Sequence, residues 1–204
     1  MNNDTLNYYN KNAAQLVTKY EQTEVAQLHA TLRKTFEGSS TLLEIGCGSG
    51  REASYLVRNG FDVRCIDGSP KMAAEAVRIH PELEGRIDVS ILPEQFPLTN
   101  TYNGIYCIAV LMHFPEQIVT EILGKIYTIL ERGGRFLFSV PLTRPGLTKS
   151  GVDSSGRHFL LLSGKAWQRL TTSAGLHILD TETTSDGMSR PEVTWFTCIA
   201  EKPA

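Results

Sequence analysis

Gly46, Gly48 and Gly50 stand at alternate positions directly after the apolar run Leu42–Ile45, and an acid, Asp67, closes the next apolar run. A glycine turn of this kind lets the backbone approach a ligand with no side chain between them. An acid about 20 residues farther on is placed to accept hydrogen bonds from ribose hydroxyls. The chemistry implied is the holding of an adenosine-like ligand whose other end passes over the glycines. The competing role for Asp67 is a turn or helix-capping residue ahead of Gly68. A dinucleotide fingerprint needs a third small residue where this chain has Arg51, so nicotinamide and flavin cofactors are disfavoured. No Gly-Lys-Ser/Thr follows the turn, and it is therefore not a P-loop.

The elements that must position these residues alternate along the chain. Residues 3–37 have helical character, with apolar positions Leu16, Val17, Tyr20, Val25, Leu28 and Leu32 spaced across a break near Gln22. After Gly38-Ser39-Ser40, strands are predicted at 42–45, 61–66, 86–92, 104–111 and in the run ERGGRFLFSVPL, then at 177–183 and 193–201. Helices are predicted between them: at 49–59, from Ser69 as N-cap with Pro70 at the first helical position, along the stripe from Ile118 to Leu130, and at 163–174. Alternation of this kind predicts a doubly wound α/β sheet whose ligand lies beyond the carboxyl ends of the strands. The polar, Gly/Ser-rich stretch 143–158 is predicted to be a mobile substrate loop.

Composition narrows the class. The 204 residues suit one domain of ordinary size, with 41% hydrophobic and 21% charged residues. A net charge of −2 and the lack of a basic block disfavour nucleic acid as a partner. Cys47, Cys65, Cys107 and Cys198 form no CxxC pair and read as buried free thiols. No metal site is expected. The first residues lack a basic region followed by an apolar one, and no apolar run approaches about 18 residues, so neither a signal peptide nor a membrane span is expected and the cytoplasm is the default.

LLEIGCGSGRE followed by VRCIDGSPKMAAEA resembles the class I S-adenosylmethionine-dependent methyltransferases, in the pattern of small bacterial members. YNGIYCIAVLMHFPEQ looks like that family's fourth strand, and ILERGGRFLFSV like its glycine turn and fifth strand. The resemblance implies a mostly parallel, Rossmann-like sheet of seven strands with a C-terminal antiparallel strand, spanning 39–204, and an N-terminal helical cap over 1–38. It also implies S-adenosyl-L-methionine as cofactor and S-adenosyl-L-homocysteine as product.

Carried over by position, Glu44 matches the acid that orients the turn and the methionine amino group. Gly46, Cys47 and Gly48 then line the methionine moiety, Asp67 takes the ribose, and Gly68, Ser69 and Met72 lie beside the adenine. Leu92 and Pro93 follow the third strand and Ala109 passes the methionine end. The aspartate that the family usually offers to the adenine amino group is missing, with Glu94 as a possible substitute. Arg51 is left between a surface or interdomain ion pair and contact with the cofactor carboxylate.

Amine, thiol or hydroxyl acceptors lose a proton during transfer, and His is the usual base. His113 follows the fourth strand, where the family places substrate-facing groups; its competing role is a loop residue bonded to backbone. Tyr8 and Tyr9 in the cap offer an aromatic face and a lid, against simple helix packing. Arg144, Arg157, Arg190 and Trp195 lie near C-terminal loops bordering the substrate, and three arginines hint at an anionic one. The acceptor is expected to be a small molecule, methylated at N, O or S by a monomer or homodimer. The alternatives are a protein or tRNA methyltransferase and a non-catalytic, cofactor-binding regulatory module.

Overall fold

A computed structural model describes residues 3–188 and 190–204; Met1 and Asn2 of the predicted cap and Ser189 of the loop after the sixth strand lie outside the described residues. The sequence breaks into two N-terminal helices, α1 (Asn3–Glu21) and α2 (Ala26–Thr35), with the interruption beside Gln22. Then follow β1 (Thr41–Ile45), α3 (Arg51–Arg58), β2 (Asp62–Asp67), α4 (Pro70–Ile79), β3 (Ile87–Val89) and β4 (Tyr102–Ile108). The chain ends with α5 (Glu116–Ile129), β5 (Leu130–Pro141), α6 (Gly164–Ser173), β6 (His177–Ser185) and β7 (Thr194–Glu201).

The seven strands form one sheet in the order β3-β2-β1-β4-β5-β7-β6. β7 runs antiparallel to both β5 and β6, and the other pairings are parallel. The order reverses at β1, and the turns after β1 and β4 flank that switch point, where open α/β sheets bind ligands.

Two apolar layers cover the sheet. On one side Phe136, Phe138, Trp167 and the α5 stripe Val119, Ile122, Leu123 and Ile126 pack together. On the other, Leu32 and Phe36 from the cap meet Leu42, Val63 and Tyr106. β5 begins earlier than the glycines Gly133 and Gly134 suggest. Tyr102 pairs with Leu130 but Gly104 pairs with Arg135, so the glycine turn is absorbed as a bulge inside the ladder. β3 is shorter than predicted. Past Val89 the Ser90 hydroxyl donates to the Gln95 carbonyl (2.6 Å) and the Gln95 side chain accepts from Ile91 N (2.8 Å), which diverts the backbone from the ladder.

The N-terminal helices are bonded into this core. Ala13, Leu16 and Val17 of α1 pack on Met72 of α4, while Asn10 Oδ1 accepts from the Ser69 hydroxyl (2.7 Å). Arg51 joins the cap to α3: its guanidinium grips Glu52 (2.6 and 2.8 Å) and donates to the Tyr20 carbonyl. The ion pair is with its neighbour in the same helix, the link to α1 is a hydrogen bond to a backbone carbonyl, and Arg51 also lines the cavity described below. Glu52 is 6% exposed, so removing its cation strands a buried charge. Arg51→Ala is expected to cost about 2 kcal/mol, read as a lower urea midpoint with an unchanged slope.

Candidate active site

Above the switch point lies a cavity of about 870 Å³, bounded by the β1, β2, β4 and β5 ends and roofed by α1 and α2. Ligand pockets commonly measure about 300–1,000 Å³, so this one has room for two small molecules side by side. Tyr9, Glu44, Gly46, Cys47, Gly48 and Asp67 line it, as do Gly68, Ser69, Met72, Leu92, Ala109 and His113. Pro93 is not among its lining residues. The chain turns after Leu92, so Pro93 is buried and its carbonyl is taken by Lys125 Nζ (2.7 Å). Glu94 is exposed and does not line the cavity, whereas Ser90 and Ile91 do.

The glycine turn is set by backbone geometry. Gly46, Gly48 and Gly50 have φ of 72°, 57° and 78°, a region L side chains rarely adopt. Two of them are also packed tightly: a Cβ on Gly46 would meet Val110 at 2.5 Å, and one on Gly50 would meet Leu83 at 2.6 Å. Gly48 has the freer side, with no neighbour nearer than the Met72 methyl at 3.9 Å.

Asp67 sits across from this turn and organises it. One carboxylate oxygen accepts from Gly48 N (2.9 Å) and the other from Ser69 N (2.8 Å). A carboxylate offers about four lone-pair directions, so each oxygen retains one for a ligand hydroxyl. Burial outweighs the two N–H donors and raises the Asp67 carboxyl to about 6. Ser69 caps α4 as predicted, its hydroxyl accepting from Met72 N (3.1 Å).

Glu44, at the end of β1, is 1% exposed and accepts from the Tyr106 hydroxyl (3.2 Å). Burial, with Cys65 and Glu52 nearby, pushes its carboxyl well above the usual carboxylate range. A buried acid facing a cavity is strengthened by an incoming cation. Ala109, at the end of β4, is the sole non-glycine residue with positive φ among the described residues (61°). Such a conformation persists only where its surroundings hold it, and here Ala109 N donates to the Ser139 carbonyl (2.9 Å).

At the opposite end, His113 closes a short helical turn, Leu111–His113, after β4 and is 2% exposed. Its Nδ1 lies 2.7 Å from the His158 carbonyl, an acceptor only, so Nδ1 carries the proton. Burial lowers the imidazole to about 4, leaving the ring neutral at pH 7. Nε2 therefore presents its lone pair, and the Tyr9 hydroxyl donates to it (2.9 Å). The two candidates lie 104 positions apart in the chain and meet because α1 crosses the strand ends.

The stretch 143–158 is folded on itself and borders the cavity. Asp153 accepts from the backbone of Ser155 (2.9 Å) and Arg157 (3.0 Å), and pairs with the guanidinium groups of Arg157 (2.7 Å) and Arg144 (3.2 Å). The loop's lone ladder contact joins Val152 to His158, and Thr5 of α1 accepts from His158 N (3.0 Å). Arg144, Arg157, Arg190 and Trp195 all line the cavity, as do Tyr20 and Phe159, which sequence reasoning missed. Phe159 follows the polar loop directly and carried no periodic signal of its own.

The four cysteines are buried and free. Among the described residues no group of His, Cys, Asp or Glu is placed to hold a metal, and no helix is long and apolar enough to cross a membrane.

A family model described as a methyltransferase domain matches residues 17–181. Among curated proteins, a ubiquinone biosynthesis O-methyltransferase of Paramagnetospirillum magneticum is 35% identical over 109 residues, covering 52% of this chain and 42% of that protein. An 18S rRNA (guanine(1575)-N(7))-methyltransferase of Saccharomyces cerevisiae is 26% identical over 145 residues, covering 64% and 52%. The chain thus spans about half the length of these curated relatives. Among solved structures, a 1,6-didemethyltoxoflavin-N1-methyltransferase of Burkholderia thailandensis, crystallised with its namesake compound and S-adenosylhomocysteine, superposes with a TM-score of 0.77. That match covers 98% of this chain and 88% of the other at 16% identity, and speaks for the fold.

Proposed function

Because the chain belongs to the methyltransferase-domain family, we propose that it is an S-adenosylmethionine-dependent methyltransferase acting on a small-molecule N, O or S nucleophile. One observation carries the reading: a single cavity joins a glycine turn, with its hydroxyl-ready carboxylate, to a buried Tyr–His pair.

The donor set fits the cofactor. Asp67 has a free lone pair on each oxygen for the ribose hydroxyls, and Gly48 leaves its side of the turn open. Glu44 is a buried acid suited to an ammonium group. Ser90 and Ile91 border the end where the usual adenine aspartate is missing, and backbone groups take over recognition there. When bound, the sulfonium of this cofactor supplies an electrophilic methyl carbon that needs little further activation.

The chain's own residues align the acceptor, exclude water and manage one proton. Alignment in a closed site is worth up to about 7–11 kcal/mol of barrier. Tyr9 keeps its proton, because burial raises its hydroxyl above the ordinary value. Its oxygen accepts the proton that the acceptor sheds, while its own hydrogen moves to His113 Nε2. Nδ1 stays bonded to the His158 carbonyl, holding the ring in the accepting tautomer.

A small acceptor is supported by the roof of α1 and α2 over the cavity and by the absence of a basic block in the sequence. The relative named as an O-methyltransferase makes a hydroxyl the first acceptor to try. Calorimetry is expected to show S-adenosylhomocysteine binding one-to-one with a micromolar dissociation constant. A titration with no heat and no shift in melting temperature would reject the cofactor, and with it the function.

A further inference from the structure

We propose that Arg144 and Arg157 form a subsite for a carboxylate of the methyl acceptor, which is therefore an apolar or aromatic monoacid. This rests on the methyltransferase reading and names the substrate class of that same cavity.

The charge count comes first. Asp153 accepts from both guanidinium groups, so the trio has one positive charge in excess. The neighbouring Arg190 is matched: Asp186 grips it twice (2.6 and 2.9 Å) and also accepts from Trp195 Nε1 (2.8 Å). The surplus charge thus belongs to the Arg144–Arg157 pair, and a single carboxylate balances it.

The hydrogen-bond count agrees. Arg144 has five N–H donors but makes one bond, at 3.2 Å, to Asp153, and its Nε is buried without a partner among the described residues. A half-buried guanidinium with an enclosed, unpartnered Nε is costly unless a ligand completes it. Burial, then the adjacent Arg157, penalise its charged form, and a bound anion relieves both effects. The planar fork suits a carboxylate, which it can hold with two parallel bonds.

The walls define the rest of the acceptor. Arg144 stacks on Phe159 (4.1 Å) and Arg157 on Tyr8 (4.4 Å), so the charge sits against aromatic faces. Position separates this subsite from the cofactor end. Arg144 follows β5, three strands from β2 and its Asp67, which is about 14 Å at ordinary strand spacing. His113 lies close enough to feel both arginines, so a carboxylate held here brings the body of the acceptor to the proton-accepting pair.

The test uses the full chain loaded with S-adenosylhomocysteine, and benzoate and benzamide as probes in saturation-transfer NMR. Benzoate is expected to bind about tenfold more tightly than benzamide, and Arg144→Gln to remove that preference, about 1.4 kcal/mol. S-adenosylhomocysteine affinity in Arg144→Gln should stay within about twofold of the parent, which also reports an intact fold. If the glutamine variant does not fold, Arg144→Lys serves, keeping the charge but losing the fork, with benzoate weakened about threefold. No benzoate binding, equal binding of benzamide, tighter binding of inorganic phosphate, or benzoate indifferent to the folded variant would each overturn the subsite. A folded variant that loses S-adenosylhomocysteine would overturn it too, by reassigning the arginine to the cofactor carboxylate. Failure of the parent protein to bind S-adenosylhomocysteine would reject the methyltransferase reading instead.

Discussion

Asp67→Ala weakens S-adenosylhomocysteine binding about 10²–10⁴-fold, in the expected result, by removing two charge-assisted hydrogen bonds worth about 1.5–3 kcal/mol each. The same carboxylate holds Gly48 N and Ser69 N, so the alanine variant also loosens the turn over which the cofactor lies. A pH series separates these effects in the parent protein. With the carboxyl raised to about 6, Asp67 is ionised at pH 8 and takes up a proton as the pH falls through 6. Affinity should be level above that point and drop about tenfold per pH unit below it, because the protonated acid loses acceptor capacity. Affinity that is flat from pH 8 to pH 5 would remove Asp67 from the ribose.

His113→Ala should lower kcat by about 10²–10⁴-fold while leaving S-adenosylhomocysteine affinity unchanged, the range expected for loss of a positioned base. Tyr9→Phe is expected to reproduce most of that loss, since it deletes the group between acceptor and imidazole. Turnover equal to the parent in either variant would dismiss the pair. The lowered imidazole also has a signature in stability. Between the unfolded value of 6.5 and the folded value of about 4, the unfolded chain binds the proton and the native chain does not. The associated stability is fully present above pH 6.5 and is lost as the pH falls through that window, on the order of 3 kcal/mol. Urea midpoints of His113→Ala at pH 7 and pH 5 should differ less than those of the parent.

The parts legible in the sequence are those decided within one strand–turn–helix unit. β1, the glycine turn, the Ser69 cap and the cap-helix break at Gln22 each rest on local chemistry, and all lie within a residue or two of where the structure has them. Seven mostly parallel strands with an antiparallel one near the C-terminus followed from the family resemblance, whereas the order of the strands was not read, since single-chain periodicity does not encode which strands become neighbours. Misplacements cluster where side-chain partners, near or far in sequence, decide the backbone. Nothing near Asp153 announced that it would gather Arg144, Arg157 and the loop's own N–H groups. Pro93 does not line the cavity, and its carbonyl is held by Lys125 on another element, α5. The Tyr9–His113 bond was invisible for the same reason: each residue stood out alone, and the packing of α1 alone joins them.

That packing makes an interlock. Tyr9 rides on α1, which is latched to the rest by Asn10 on Ser69, Thr5 on His158 and the Tyr20 carbonyl on Arg51. Any swing of α1 about the break near Gln22 parts Tyr9 from His113 as it opens the roof. The contacts that hold the roof in place are thus the same ones that assemble the Tyr9–His113 pair, so the pair exists only while the roof is shut.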